Sequence, residues 1–188
     1  VAGGLKMNKL EDVKRTCVEL FLIPCEGTGP MTPDGRFMAY EDPGSRNLKV
    51  QDEFGNWVRS PEAGLPITIA WGLTYHADGT PIQLGETWTL EYATEVKAKV
   101  LSGFLSKLLG LSPTLATENI LRIAAVLSWV YNIGLGNYRI STFKKRIDSK
   151  DWEGAASECL KWNKSKGKVM KGLTIRRNIE AKAILQSK

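Results

Sequence analysis

Two acids and a hydroxyl residue stand in an order that suits acetal chemistry. Glu26 follows the apolar run from Val18 to Cys25 and precedes Gly27, Asp42 closes Ala39-Tyr40-Glu41-Asp42, and Thr68 lies in Ile67-Thr68-Ile69-Ala70-Trp71-Gly72. An acetal breaks when its leaving oxygen is protonated as the bond stretches. One carboxylic acid must therefore keep its proton near neutral pH, a condition that a partly buried site favours. Glu26, beside a helix end and Cys25, suits that task. The other face of the ring needs an oriented water and negative charge to offset an oxocarbenium ion, which a carboxylate and a threonine hydroxyl can supply. Asp42 and Thr68 can divide that work. Taken singly, these residues carry a plainer reading: Glu26 as a helix-terminal surface carboxylate, Asp42 as a turn residue before Pro43, and Thr68 as a strand residue chosen for propensity.

Such a site needs no cofactor, and none is expected. The three cysteines, Cys17, Cys25 and Cys159, lack metal-ligand spacing, and His76 is the only histidine, so no metal is expected either. The cysteines read as small buried hydrophobes, with a Cys17–Cys25 pair after export as the alternative. His76, alone in a polar glycine-rich loop, reads as an exposed loop residue. A net charge of +6 and a pI near 9.2 favour a polyanionic partner: nucleic acid, an anionic membrane surface or an acidic cell wall. The basic residues gather only between Lys161 and Lys182, and they form no aromatic-basic platform, so nucleic acid is not expected as a partner. No stretch approaches the roughly 20 apolar residues that span a bilayer, and Val1 to Lys6 do not form a signal peptide. A soluble monomer without stable membrane insertion is expected.

The elements that must position these groups follow from periodicity. Leu10, Val13, Cys17, Leu20 and Phe21 recur at helical spacing, which predicts a first helix from about Asn8 to Phe21 or a little beyond, ended by Pro24. From Gly27 to Gly85 the punctuation by Asp34-Gly35, Gly55-Asn56 and Asp78-Gly79 predicts a small antiparallel sheet with long loops. Thr89 caps a long helix ending at Gly110, and Thr117 opens an apolar segment, Ile120 to Ile133, that reads as the central core helix. Ser141 and Asp151 cap helices at Thr142 to Ser149 and Trp152 to Trp162, and Gly172 to Gln186 makes a last one. The fold class is α+β, one domain in two lobes around a cleft. A sheet-containing lobe covers about 24–86, with an insertion at 43–66, and a mainly helical lobe covers 1–23 and 87–188.

Cys25-Glu26-Gly27, Ala39-Tyr40-Glu41-Asp42-Pro43, Thr68-Ile69-Ala70-Trp71-Gly72 and Tyr131-Asn132-Ile133-Gly134-Leu135-Gly136-Asn137 occur in one order. Ser141-Thr142, Trp162-Asn163-Lys164 and Gly172-Leu173 with Arg176-Arg177 and Glu180 continue it. In these residues the chain resembles the phage-type lysozymes, glycoside hydrolase family 24. The resemblance implies a lysozyme-like fold and an endolysin: a muramidase hydrolysing the β-1,4 bond between N-acetylmuramic acid and N-acetylglucosamine in peptidoglycan. It implies an inverting reaction with Glu26, Asp42 and Thr68 as the catalytic set, in an enzyme made in the host cytoplasm that acts in the periplasm or on the cell wall. Alternatives are a lytic transglycosylase and a non-catalytic wall-binding relative.

The chain departs from the family pattern in the intervals that Gly29 to Arg36 and Ser45 to Pro66 lengthen, and Asp52, in Asp52-Glu53-Phe54-Gly55, is the second candidate for the second carboxylate. The histidine that many members carry after the residue matching Gly72 is Leu73 here. Trp71, Tyr75 and Trp57 could stack on sugar rings or simply pack the sheet. Asn132 could bind an acetamido group or cap a helix. Arg176 and Arg177 could reach the catalytic Glu or a substrate carboxylate, or be solvent-exposed partners of Glu180.

Overall fold

The computed structural model describes residues 7–43, 45 and 47–186; Val1 to Lys6 and two positions of the segment 43–66 lie outside the described residues. The chain divides into two compact units, Glu26–Lys97 and, around it in sequence, Val1–Cys25 with Ala98–Lys188.

The unit Glu26–Lys97 holds short antiparallel strands: β1 (Phe37–Met38), β2 (Tyr40–Glu41), β3 (Lys49–Gln51), β4 (Trp57–Arg59), β5 (Ile67–Thr68) and β6 (Thr87–Trp88). They pair as β1 with β6, β2 with β5, and β3 with β4. The single sheet read from the sequence is thus three separate two-stranded ribbons. Glycine and proline recur every few residues, so no ladder runs long enough to recruit a third strand. The core of this unit comprises Phe37, Ile69, Trp71, Leu73, Ile82 and Trp88, all buried.

Helix α2 (Leu90–Leu111) starts where expected, with the Thr89 hydroxyl accepting from the Tyr92 amide at 3.2 Å, and passes from one unit to the other. In the second unit α1 (Met7–Cys17) continues through a wide π-type turn, Val18–Leu22, closed by the Ile23 amide on the Val18 carbonyl at 2.9 Å. The helical pattern therefore does run to Leu22, and the chain leaves it just before Glu26.

Helix α3 (Ile120–Ile133) is the core helix that its sequence demands, with every residue from Arg122 to Val130 buried. Its cap is Asn119, which accepts from the Arg122 amide at 2.8 Å; Thr117 instead ends a short 3-10 turn, Pro113–Thr117. Around α3 lie α4 (Leu135–Ile140), α5 (Thr142–Asp148), α6 (Trp152–Leu160) and α7 (Lys171–Leu185). Ser141 and Asp151 cap α5 and α6 as read, accepting from Lys144 N at 3.0 Å and Gly154 N at 2.9 Å. The Trp129 ring gathers Phe143 at 4.6 Å, Trp162 at 5.1 Å and Tyr138 at 6.0 Å. Arg122 clasps three helices: it donates to the Ile184 carbonyl at 2.8 Å and lies 4.1 Å from the centroid of the Trp152 ring. A hairpin that the sequence reading missed, β7 (Lys164–Ser165) with β8 (Lys168–Val169), turns at Lys166 and Gly167, with φ of 47° and 77°. Two positive φ values in a row fit a primed two-residue turn, and the lone glycine of a lysine-rich stretch gave little warning of it.

Glu118 supplies a pH-dependent tie in this unit. Burial pushes its carboxyl up, but hydrogen bonds and charges from Lys150, at 2.9 Å, and Arg122 outweigh that and hold it below the ordinary value of 4.5. A carboxyl depressed on folding contributes stability above the unfolded value and loses it as pH falls through the folded one. The melting temperature is expected to drop as pH is lowered below 4.5, and to drop less steeply in Glu118→Gln, as thermal melts across that range would read.

Candidate active site

The register of β2 with β5 sets Tyr40 opposite Thr68 and Glu41 opposite Ile67. Residues directly opposite on paired strands share a face, so Tyr40 and Thr68 do, and Asp42 follows directly past the end of β2. The Asp42 amide donates to the Gly64 carbonyl at 2.8 Å, which fixes the backbone just past β2. Burial raises the Tyr40 phenol above the ordinary range, and the charge of Asp42 raises it further. Thr68 is buried and donates its hydroxyl proton to the Pro66 carbonyl at 3.2 Å.

Glu26 is held from α2. The Lys97 ammonium, fully buried, donates to Glu26 Oε2 at 3.1 Å and to the Trp71 carbonyl at 2.6 Å. That carbonyl sits in a tight hairpin closed by Ile69 N to Leu73 O at 2.9 Å and Leu73 N to Ile69 O at 3.0 Å. Ala70 takes a left-handed φ of 48° there, and Gly72 follows at 76°. Non-glycine residues seldom adopt such a φ, so Ala70 marks a backbone set by its surroundings. Through Lys97, Glu26 is thereby tied to the loop that leaves Thr68.

Lys97 is a site residue that the sequence reading missed, and a signal for it existed. It lies on the apolar stripe of α2 beside Ala93, Val96 and Leu101, all buried, where an ammonium must find oxygen partners. Tyr40 was likewise read only as part of a motif.

Other candidates move to different roles. Trp71 is 1% exposed with Phe37 edge-on at 5.1 Å, so its ring packs the core and no face of it is open to a sugar. Tyr75 is 54% exposed and Trp57, on β4, is 67% exposed. Asp52 forms the turn between β3 and β4: its Oδ1 accepts from Phe54 N at 2.9 Å and Asn56 N at 2.8 Å. The Asn56 amide leads the interactions that hold its carboxyl low. Glu41 pairs with Arg59, and Gly64, at φ +88°, makes room for it: a Cβ there would stand 2.7 Å from Glu41 Cδ.

His76, read as an exposed loop residue, is instead built into a cluster. Its Nε2 lies 3.0 Å from Glu86 Oε2, its Nδ1 lies 3.2 Å from the Tyr92 hydroxyl, and its ring is 5.1 Å from that of Trp88.

Asn132, Arg176 and Arg177 belong to the helical unit. Asn132 is exposed on the last turn of α3; the C-cap is Gly134, whose amide donates to the Val130 carbonyl at 2.8 Å, while Asn137 Nδ2 donates to the Ile133 carbonyl at 2.8 Å. The arginines do pair with Glu180, yet all three are buried rather than on the solvent face. Arg177 Nε lies 2.8 Å from Glu180 Oε2, and Arg176 Nε donates to Oε1 at 3.2 Å. Arg176 also donates to the Ser128 carbonyl and hydroxyl, both at 3.1 Å. Cys17 and Cys159 are buried and Cys25 half-buried, and none forms a disulfide. No helix among the described residues is long and apolar enough to cross a membrane.

Known proteins resemble this chain in sequence and in fold. The phage lysozyme family matches residues 47–180, a span that takes in Thr68, α2 and the later helices and begins after Glu26 and Asp42. The SAR-endolysin of Enterobacteria phage P21 is 32% identical over 121 residues, covering 63% of this chain and 71% of that protein. The SAR-endolysin of Enterobacteria phage PA-2 is 32% identical over 120 residues with the same coverage. Among solved structures, the endolysin from Escherichia coli O157:H7 phage FAHEc1 superposes with a TM-score of 0.61 at 23% identity, covering 98% of this chain and 95% of that one. The active form of the P1 phage endolysin gives 0.58 at 15% identity, with 90% and 83% covered. The structural matches show the fold, the sequence matches show descent, and the chain belongs to the phage lysozyme family, the muramidases that hydrolyse bacterial peptidoglycan.

Proposed function

We propose that Glu26, Asp42 and Thr68 carry the hydrolysis, by inversion, in an endolysin that acts as a monomer in the periplasm or on the cell wall of the host in which it is made. The reading rests on one observation above the others: Thr68 pairs with Tyr40 across β2–β5 and Asp42 follows directly on β2, while Lys97 ties Glu26 to the loop that follows β5. Glu26 gives its proton to the bridging sugar oxygen as that bond lengthens. Thr68, whose own proton lies on the Pro66 carbonyl, offers lone pairs, so it accepts a hydrogen bond from a water rather than donating one. Asp42 takes the water's other proton as the oxygen reaches the anomeric carbon from the far face. The SAR-endolysin names of the relatives support export toward the wall.

The test is digestion of purified sacculi by the natural chain and by Asp42→Asn. The natural chain is expected to release hydrated muropeptides with the new reducing end first formed as the α-anomer, and Asp42→Asn to be slower by roughly 10²–10⁴-fold. Products lighter by one water, seen by mass spectrometry, would mark a lytic transglycosylase. Binding to sacculi without any cleavage by the natural chain would mark a non-catalytic relative.

A further inference from the structure

The ribbon β3–β4 is exposed on both faces: every residue of Lys49–Gln51 and Trp57–Arg59 is exposed, and Phe54 in the connecting turn is 81% exposed. A two-stranded ribbon that nothing covers is marginally stable in water. Here both ends are fastened. Asp52 binds the turn, Gly55 N donates to the Asp52 carbonyl at 3.0 Å, and Gly55 supplies the φ of +80° the turn needs. At the base, Arg59 pairs with Glu41 and donates to the Ala63 carbonyl at 3.3 Å, while Ser60 N donates to Leu48 O at 2.9 Å. The ribbon is held in place without contributing to the core.

Its two faces differ. The bonds Ser60 N to Leu48 O and Asp52 N to Asn56 O mark the hydrogen-bonded pairs. Lys49 with Arg59 and Gln51 with Trp57 are therefore the alternate pairs, where side chains approach most closely. All four lie on one face; Val50 and Val58 share the other. Two cations directly opposite each other destabilise a ribbon, so ribbon stability does not account for Lys49 and Arg59. Glu41 answers one of them. With Arg59 engaged by Glu41 and the Ala63 carbonyl, what the face presents outward is the exposed Lys49, the Gln51 amide and, beside them, an indole ring 67% exposed.

We infer that this face is an accessory subsite for a peptidoglycan strand, an inference that rests on the reading of the chain as a wall hydrolase. The Trp57 ring stacks on the C–H face of a pyranose, the Gln51 amide meets a hydroxyl or acetamido group, and Lys49 receives a carboxylate of the lactyl or stem-peptide portion. Continuity supports this occupant. The ribbon is inserted in sequence between Asp42 and Thr68, and its Arg59 is fastened to Glu41, the neighbour of Asp42. The base of the ribbon therefore lies beside β2, the strand that leads into Asp42.

The experiment uses the full chain carrying Glu26→Gln, so that the wall stays intact, and measures co-sedimentation with purified sacculi. Adding Trp57→Ala is expected to weaken binding roughly tenfold, the loss of one stacked ring, and Lys49→Glu to weaken it comparably. Trp57→Phe should restore most of the affinity, which a merely misfolded ribbon would not allow. Equal binding by Trp57→Ala and its parent overturns the inference and leaves the hydrolase reading untouched. Loss of binding to phosphatidylglycerol vesicles in Trp57→Ala, with sacculus binding unchanged, also overturns it and assigns the face to a membrane. Failure of the natural chain to cleave sacculi would bear on the hydrolase reading alone.

Discussion

Glu26→Gln is expected to lose sacculus hydrolysis by roughly 10²–10⁴-fold, the usual contribution of a positioned general acid. The amide keeps the shape of the side chain and can still accept from Lys97, whose buried ammonium donates to Glu26 Oε2 at 3.1 Å. What it cannot do is deliver a proton to a departing sugar oxygen. Far-ultraviolet circular dichroism and the melting temperature should stay close to those of the natural chain, so that the loss is chemical rather than structural. Retention of full activity by a folded Glu26→Gln chain would remove Glu26 from the reaction. The same assay on Asp42→Asn separates the two carboxyl roles, since a defect in water activation leaves proton delivery intact.

The second large effect is on stability. Glu180→Ala should destabilise the chain by about 3–5 kcal/mol, because it strands two buried guanidinium groups. Glu180 is wholly buried, and burial pushes its carboxyl up against the pull of Arg177 and Arg176; the same burial pushes Arg177 down, against the pull of Glu180. The carboxylate also accepts from the Ser128 hydroxyl at 2.6 Å, so the same deletion removes one of the ties between α3 and α7. For a chain of this length such a loss lowers the melting temperature by on the order of 10 °C, which differential scanning calorimetry would read. Glu180→Leu combined with Arg177→Met should recover part of it, since removing both charges also removes their desolvation cost. A Glu180→Ala chain that melts like the natural one would show that the ion cluster holds no net stability.

Much of the helical unit was legible from residue order. Ser141 and Asp151 cap the helices they were read to cap, and the apolar girdle from Ile120 to Ile133 lies in the core, because a helix with no polar face has nowhere else to go. The sheet-bearing unit was legible only in outline. Its strands are two or three residues long, too short for a period of two to register, and its shape follows from turns rather than ladders. Asp52 illustrates the limit: beside Gly55 and Phe54 it resembled a second carboxylate, while its backbone partners make it the pivot of a turn. Trp71 looked like a sugar platform and is core, because sequence does not say which side of a tight hairpin faces inward.

Residue order by itself determined the helices, the membership in a family of wall hydrolases and the choice of Glu26, Asp42 and Thr68 as candidates, since spacing and side-chain chemistry are local properties. The pairing of β2 with β5, the burial of Lys97 against Glu26 and the Trp71 carbonyl, and the inward turn of Arg176 and Arg177 onto Glu180 were decided only in three dimensions. Each joins residues distant along the chain or depends on which groups water can reach, and charges withdrawn from water take the partners that packing brings to them.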